Sequence, residues 1–323
     1  MAEEKEIKSG HILVAGGSGF LGTNLTHHLL SLGHKVTVID NFYTSSSKNI
    51  STFLDSDSFR LIDADILNFE DYPEDLDFIF NLACPASPEK YQKDPLYTVD
   101  VCYRGTKNLL ELASSLNIGI FHASTSEIYG DPFMHPQPES YWGNVNSVGP
   151  RACYDEGKRV SETLCYEYNK SRGLNVYVGR IFNTYGPYMD IADGRVVSNF
   201  IIQALKNENI TIYGDGSQTR SFCYVDDLIA AFTEILKMNF RNERNFGPFN
   251  LGNPSEISII SIANEIIKIT NSNSRLTFLD LPIDDPIKRK PDITRIQKYT
   301  GWYPKIDLDE GIKKTIKYFE DYA

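Results

Sequence analysis

The chain has 323 residues, 41% hydrophobic and 23% charged, enough apolar sequence for a sizeable core in one large or two modest domains. Its formal net charge of −11 argues against a general nucleic-acid or anionic-membrane binder, which needs a basic field, so an anionic ligand must meet a local cluster of positive groups. The five cysteines, Cys84, Cys102, Cys153, Cys165 and Cys223, are odd in number and form no Cys-x-x-Cys pair, which fits reduced thiols in a cytosol and no metal site.

The first residues, Met1 to Glu6, lack the apolar core of a signal peptide, and no apolar run reaches membrane-spanning length, so a cytoplasmic protein without membrane association is expected. His11 to Ala15 then reads as a strand that runs into Gly16-Gly17-Ser18-Gly19-Phe20-Leu21-Gly22. A helical pattern follows through Leu25, Leu29 and Leu30 to a stop at Gly33, and a second apolar run, Val36 to Ile39, ends in Asp40. Strand, glycine turn, helix, strand and acid is the order of a dinucleotide site. The glycines let backbone amides approach a pyrophosphate at the helix start. Asp40 can accept from both hydroxyls of an adenosine ribose and would repel a 2′-phosphate, which favours NAD over NADP.

Further strands are expected at Arg60 to Ile62, Phe78 to Leu82 and Ile118 to Phe121, with helical stretches between most of them, notably Pro95 to Leu116. This alternation predicts an α/β fold, a Rossmann-type doubly wound parallel sheet with ligands at the carboxyl ends of its strands. The polar cluster Ala123 to Gly130 follows such a strand. Next comes Tyr154-Asp155-Glu156-Gly157-Lys158, which puts a phenol and an ammonium four residues apart on one helix face. A cation about 4 Å from the phenol supplies roughly 4 kcal/mol at an effective dielectric of ~20. That matches the cost of lowering a tyrosine pKa by about three units, so Lys158 could make Tyr154 a base. Alone, the pattern far more often describes a surface tyrosine beside a solvated lysine.

With these neighbours the chain resembles the extended short-chain dehydrogenase/reductases that modify nucleotide sugars. The blocks Leu82 to Pro88, Tyr141 to Asn146, Asp193 to Phe200 and Asp284 to Asp292 look like the UDP-glucuronate decarboxylases, or UDP-xylose synthases, over nearly everything from His11 to the last helix. The resemblance implies NAD-dependent oxidation of UDP-glucuronate at the fourth carbon, loss of carbon dioxide from the keto intermediate, and return of the hydride to give UDP-xylose. It implies Tyr154 as base, Lys158 as its cationic partner, Ser126 sharing the substrate hydroxyl, Glu127 near the fifth carbon as relay or electrostatic push, and Arg289 on the reacting carboxylate. Tyr91, Asn183, Arg195 and Arg220 would join Ser126, Glu127 and Arg289 on the substrate. Gly16, Gly19, Phe20, Leu21, Gly22, Asp40, Asn41, Tyr43, Thr44, Asp65, Ile66, Leu82, Cys84 and Ser124 would join Tyr154 and Lys158 on the cofactor.

Two positions depart from the family pattern. Cys102 stands where an asparagine is usual, and Tyr188 follows Gly186-Pro187 where an arginine is common. Residues 1–182 with 222–251 are expected to form the NAD-binding domain, and 183–221 with 252–323 a smaller α/β domain for the UDP-sugar. Helices Pro95 to Leu116 and Arg151 to Ser171 carry apolar residues on more faces than one sheet contact covers, so a homodimer through a four-helix interface is expected. A 4-epimerase, a 4,6-dehydratase, a UDP-apiose/xylose synthase and a non-catalytic NAD-binding scaffold remain the alternatives. A dehydratase would carry an acid at position 126, and an epimerase has no need of Glu127 or Arg289.

Overall fold

The computed structural model describes residues 9–281 and 288–322. The block Asp284 to Ile287 of the fourth motif therefore lies outside the described residues.

Seven parallel strands form the main sheet, in the spatial order Phe249–Leu251, Val176–Ile181, Gly119–Thr125, Phe78–Asn81, His11–Ala15, Lys35–Asp40 and Phe59–Asp63. His11–Ala15, Phe78–Asn81 and Gly119–Thr125 are buried throughout, because helices cover both faces of a parallel sheet. Alternate side chains feed two different layers. Ile12 and Val14 enter the larger core cluster with Phe80, Phe121 and Phe232, while Leu13 and Ala15 enter the other with Ile79, Leu109 and Cys165. Each fully buried Leu, Ile or Phe contributes about 1.5–3 kcal/mol. The expected strands and helices are present, and the sheet adds Val176–Ile181 and Phe249–Leu251.

The stretch from Pro95 to Leu116 is helical but interrupted. Val101–Gly105 forms a π-turn between Pro95–Asp100 and Thr106–Leu116. A π-turn breaks the ordinary hydrogen-bond ladder, and here the Cys102 carbonyl accepts from the Ser161 hydroxyl at 2.7 Å, tying the turn to the helix Ala152–Arg172.

The larger core cluster also takes in Ile262 and Ile266 of helix Ile259–Thr270 and Ile312 and Phe319 of helix Leu308–Phe319. Asp227, on helix Val225–Phe240, grips the chain that leads to this last helix. Its carboxylate accepts from the Lys305 and Ile306 amides, both at 2.9 Å, and its carbonyl accepts from the Trp302 indole. Among the described residues no helix is long and apolar enough to cross a membrane.

Candidate active site

The strand order reverses between His11–Ala15 and Phe78–Asn81, and the crevice at the carboxyl ends of such neighbours is where open α/β sheets take ligands. Gly16 follows the first strand with φ +76°, and a Cβ there would stand 2.9 Å from the Ala83 backbone. At Gly22 a Cβ would meet the Gly16 carbonyl at 2.1 Å, so the turn closes only without side chains. Gly19 is different: the nearest atom to its Cβ position is the Gly16 carbonyl, at 3.4 Å. The helix Phe20–Ser31 that starts here has no side-chain cap and no acid in its first turn, which leaves its amides free for an anion.

A cavity of about 520 Å³ opens at this point, lined by Gly16, Gly19, Phe20, Leu21 and Gly22 on one side and by Ser124, Ser126, Glu127, Tyr154, Lys158, Asn183 and Arg195 on the other. A smaller recess continues from it past Asp40, Asn41, Tyr43, Thr44, Asp65, Ile66, Leu82 and Cys84. Asp40 accepts from the Ser18 and Phe42 amides and the Ser45 hydroxyl, each at 2.9 Å. Burial pushes its carboxyl up, and those three donors pull it back. Asn41 donates to Asp65 at 2.8 Å and to the Tyr97 hydroxyl at 2.6 Å, which braces the recess wall. An open glycine turn, uncapped amides and a recess ending at a carboxylate fit an NAD molecule, with the pyrophosphate at the turn and the adenosine ribose at Asp40.

Tyr154 and Lys158 share one face of the helix Ala152–Arg172, as their spacing requires, but not as an adjacent ion pair. The lysine ammonium donates to the Ala123 carbonyl at 2.8 Å and lies 6.0 Å from the centre of the tyrosine ring. Burial and the neighbouring Cys84 hold the phenol well above its ordinary pKa, opposed by the Thr125 hydroxyl. In this arrangement desolvation outweighs the ammonium, which is directed at the Ala123 carbonyl. The Tyr91 ring stacks on Tyr154 with centroids 5.0 Å apart and 4° between planes, so Tyr91 braces that ring.

Glu127 lines the cavity, where a proton relay or an electrostatic push is expected of it, and its charge is shared with two arginines. Its carboxylate takes both guanidinium nitrogens of Arg289, at 2.5 and 2.8 Å, and one of Arg151 at 2.5 Å. Burial alone would push the carboxyl up, but Arg289 and Arg151 together bring it down to about 2. Such a group stays ionised near neutrality and is a poor proton carrier. Arg289, expected on a substrate carboxylate, is occupied by a carboxylate of the protein. Asp155, whose carboxylate lies 3.9 Å from Arg151, is pushed up to about 7 by burial and by Glu127.

The remaining residues divide by position. Arg195 stands at the residue before the helix Val196–Leu205, at the cavity wall, and pairs with Asp193, while Arg220 is buried outside the cavity lining, opposite Arg289 in a short parallel pairing. The Ser124 hydroxyl donates to Glu162 at 2.5 Å, and Glu162 holds Arg180 through two bonds, a buried brace under the cavity floor. Cys102 meets Cys84 with sulfurs 3.5 Å apart, and Tyr188 lines the cavity with its ring against Tyr318. Arg151, Asp155 and Thr125 were not singled out from sequence. Arg151 precedes the Tyr154 motif and Asp155 lies within it, but nothing in that stretch signals that Arg151 has a partner 24 residues upstream.

A model described as the NAD dependent epimerase/dehydratase family matches residues 12–252. The chain is 48% identical over 316 residues to UDP-glucuronic acid decarboxylase 1 of Xenopus tropicalis, covering 98% of this chain and 73% of that protein. It is 44% identical over 302 residues to UDP-glucuronic acid decarboxylase 3 of Arabidopsis thaliana, covering 93% and 86% respectively. Among solved structures, UDP-glucuronic acid 4-epimerase from Bacillus cereus, in complex with UDP-glucuronic acid and NAD, is similar with a TM-score of 0.88 at 27% identity, covering 97% of this chain and 100% of that one.

Proposed function

Because the chain belongs to the NAD dependent epimerase/dehydratase family and, within it, to the UDP-glucuronic acid decarboxylases, we propose that it converts UDP-glucuronate to UDP-xylose and carbon dioxide with NAD as a regenerated cofactor. The observation that carries this reading is that Glu127, in the wall of the cavity that holds Tyr154 and Lys158, gathers Arg289 and Arg151 behind it. A guanidinium beside the cavity suits a sugar that carries a carboxylate, and the 48% identity to a UDP-glucuronic acid decarboxylase favours loss of that carboxylate over epimerisation.

Held by Gly16, Gly19, Gly22 and Asp40, NAD would supply a hydride acceptor and donor for the fourth carbon of the sugar. Tyr154 takes the proton of the 4-hydroxyl as the ketone forms and gives one back at the end, with Ser126 sharing that hydroxyl. Lys158, on the same helix face, supplies the positive charge for the phenolate by turning its ammonium from the Ala123 carbonyl toward the phenol. Arg289 binds the sugar's carboxylate in place of Glu127 and holds its carbon–carbon bond against the new carbonyl, so the electrons of that bond pass into an enolate as carbon dioxide leaves, and the fifth carbon then takes a proton from solvent water, restoring the ketone before the hydride returns. Asn183 and Arg195, on the cavity wall, serve the sugar and diphosphate, and buried Arg220 supports the same end.

The experiment is incubation of the purified protein with UDP-glucuronate and a catalytic amount of NAD, with carbon dioxide and product mass followed together. UDP-xylose with matching carbon dioxide supports the assignment. UDP-galacturonate without gas would make the protein an epimerase.

A homodimer is proposed with it. Leu96, Val99 and Tyr103 on the interrupted helix and Val160 and Tyr166 on the Tyr154 helix are exposed large apolar residues, as a four-helix interface requires. A monomer at micromolar concentration in light scattering would count against it. A cytoplasmic location is proposed from five unbridged cysteines, two of which lie close enough to oxidise.

A further inference from the structure

Glu127 is shared between two guanidiniums with different attachments. Arg289 reaches it from 162 residues away, on a short strand, and takes both carboxylate oxygens. Arg151 is the residue at the start of the helix that carries Tyr154, and it makes a further bond to Oε2. Glu127 lines the cavity and both arginines lie behind it, so a carboxylate entering the cavity reaches Arg289 by replacing bonds that Arg289 now makes to Glu127.

That exchange leaves a buried carboxylate in need of a cation. The groups facing Glu127 besides the two arginines are Tyr154 and Asp155 from its own side and Tyr91 from the neighbouring helix, none of them positive. With Arg289 gone, Arg151 is the positive group that stays. Without it, Glu127 would take up a proton, because an unpaired buried charge is far costlier than a neutral acid.

We propose that Arg151 is a positioning residue for the reaction: it is the standing counter-ion of Glu127, keeping that carboxylate ionised and in place while the substrate's carboxylate draws Arg289 away. The inference rests on the assignment of Arg289 to the substrate's carboxylate. It adds a division of labour, with Arg289 exchangeable and Arg151 fixed. Fixity follows from attachment: Arg151 is three residues from Tyr154, so Glu127 is held in register with the base.

The test compares wild type with Arg151→Gln, Arg151→Lys, Glu127→Gln and the double variant Arg151→Gln/Glu127→Gln. Carbon dioxide release from UDP-glucuronate is followed from about pH 6 to about pH 9, and binding of UDP-glucuronate relative to UDP is measured by calorimetry. Arg151→Gln is expected to lose about tenfold or more in turnover at the acid end, with the loss shrinking as pH rises, while Arg151→Lys keeps the parent profile. Arg151→Gln should also weaken UDP-glucuronate binding about tenfold in the parent but less than about twofold in the Glu127→Gln background.

A loss equal at every pH, or one undiminished in the Glu127→Gln background, would overturn the proposal. If Arg151→Gln does not fold, the double variant, which has no buried carboxylate left unpaired, and Arg151→Lys carry the comparison against Glu127→Gln alone. Absence of carbon dioxide from the wild-type protein would instead remove the underlying reading, and is seen before any variant is made.

Discussion

Arg289 and Glu127 form a two-pronged pair across the cavity wall, 2.5 Å on one side and 2.8 Å on the other. The backbone that carries the arginine is fixed: Lys288 and Arg289 pair with Thr219 and Arg220, the Arg289 carbonyl accepts from Ser221, and Lys290 is joined to Gln137. Any change of partner is therefore a rotation of the side chain. Arg289→Lys keeps the charge and loses the fork, so it should bind UDP-glucuronate more weakly and release carbon dioxide far more slowly. Reduction of NAD on UDP-sugars without the carboxylate should be no worse than in the parent. Decarboxylation at the parent rate would show that another group holds the carboxylate.

Tyr154→Phe keeps the ring that stacks on Tyr91 and removes only the hydroxyl. It should abolish turnover and leave nucleotide binding nearly intact. Substantial residual carbon dioxide release would move the base elsewhere.

Asp40→Asn should narrow the preference for NAD over NADP, measured as the ratio of the two dissociation constants. The recess ends at this carboxylate, whose charge repels a 2′-phosphate. An unchanged ratio would detach Asp40 from the ribose.

Glu127 sits at about 2 in the folded protein against an ordinary 4.5, a depressed carboxyl. Its contribution to stability, about 3 kcal/mol at about 1.4 kcal/mol per pH unit, is present above pH 4.5 and is lost as pH falls toward 2. In denaturant melts across that window, wild type should lose about 3 kcal/mol more than Glu127→Gln. Parallel losses in the two proteins would mean that the guanidiniums do not hold the carboxylate down.

Cys84 lines both the main cavity and its recess, and the hydrogen bond from Cys102 brings its thiol down to about 7 against the effect of burial, with help from Lys158. Alkylation by iodoacetamide should reach Cys84 before the other four cysteines, accelerate as pH rises through 7, and slow when NAD is present. Peptide mapping that finds another cysteine modified first would refute this.

The glycine turn, Asp40 and the Tyr154 helix were readable in sequence because each is a local pattern with a fixed period or order, and the fold places them as read. What joins Glu127 to Arg151 and Arg289 was not readable. Those residues lie 24 and 162 positions apart and meet only after the sheet and the short strand Lys288–Arg289 are assembled. The Tyr154 phenol shows the same limit from the other direction. Four-residue spacing places Lys158 on the correct face, but the direction of its ammonium is set by the Ala123 carbonyl, which belongs to a different strand.

One apolar cluster runs without a break from Ile12 and Val14 in the first strand to Ile312 and Phe319 in the last helix, and Asp227 fastens the chain between them. Neither end can melt while the other keeps its packing. Heating should therefore give a single calorimetric peak, and trimming the final helix should lower the melting temperature of the nucleotide-binding strands that it never touches in sequence.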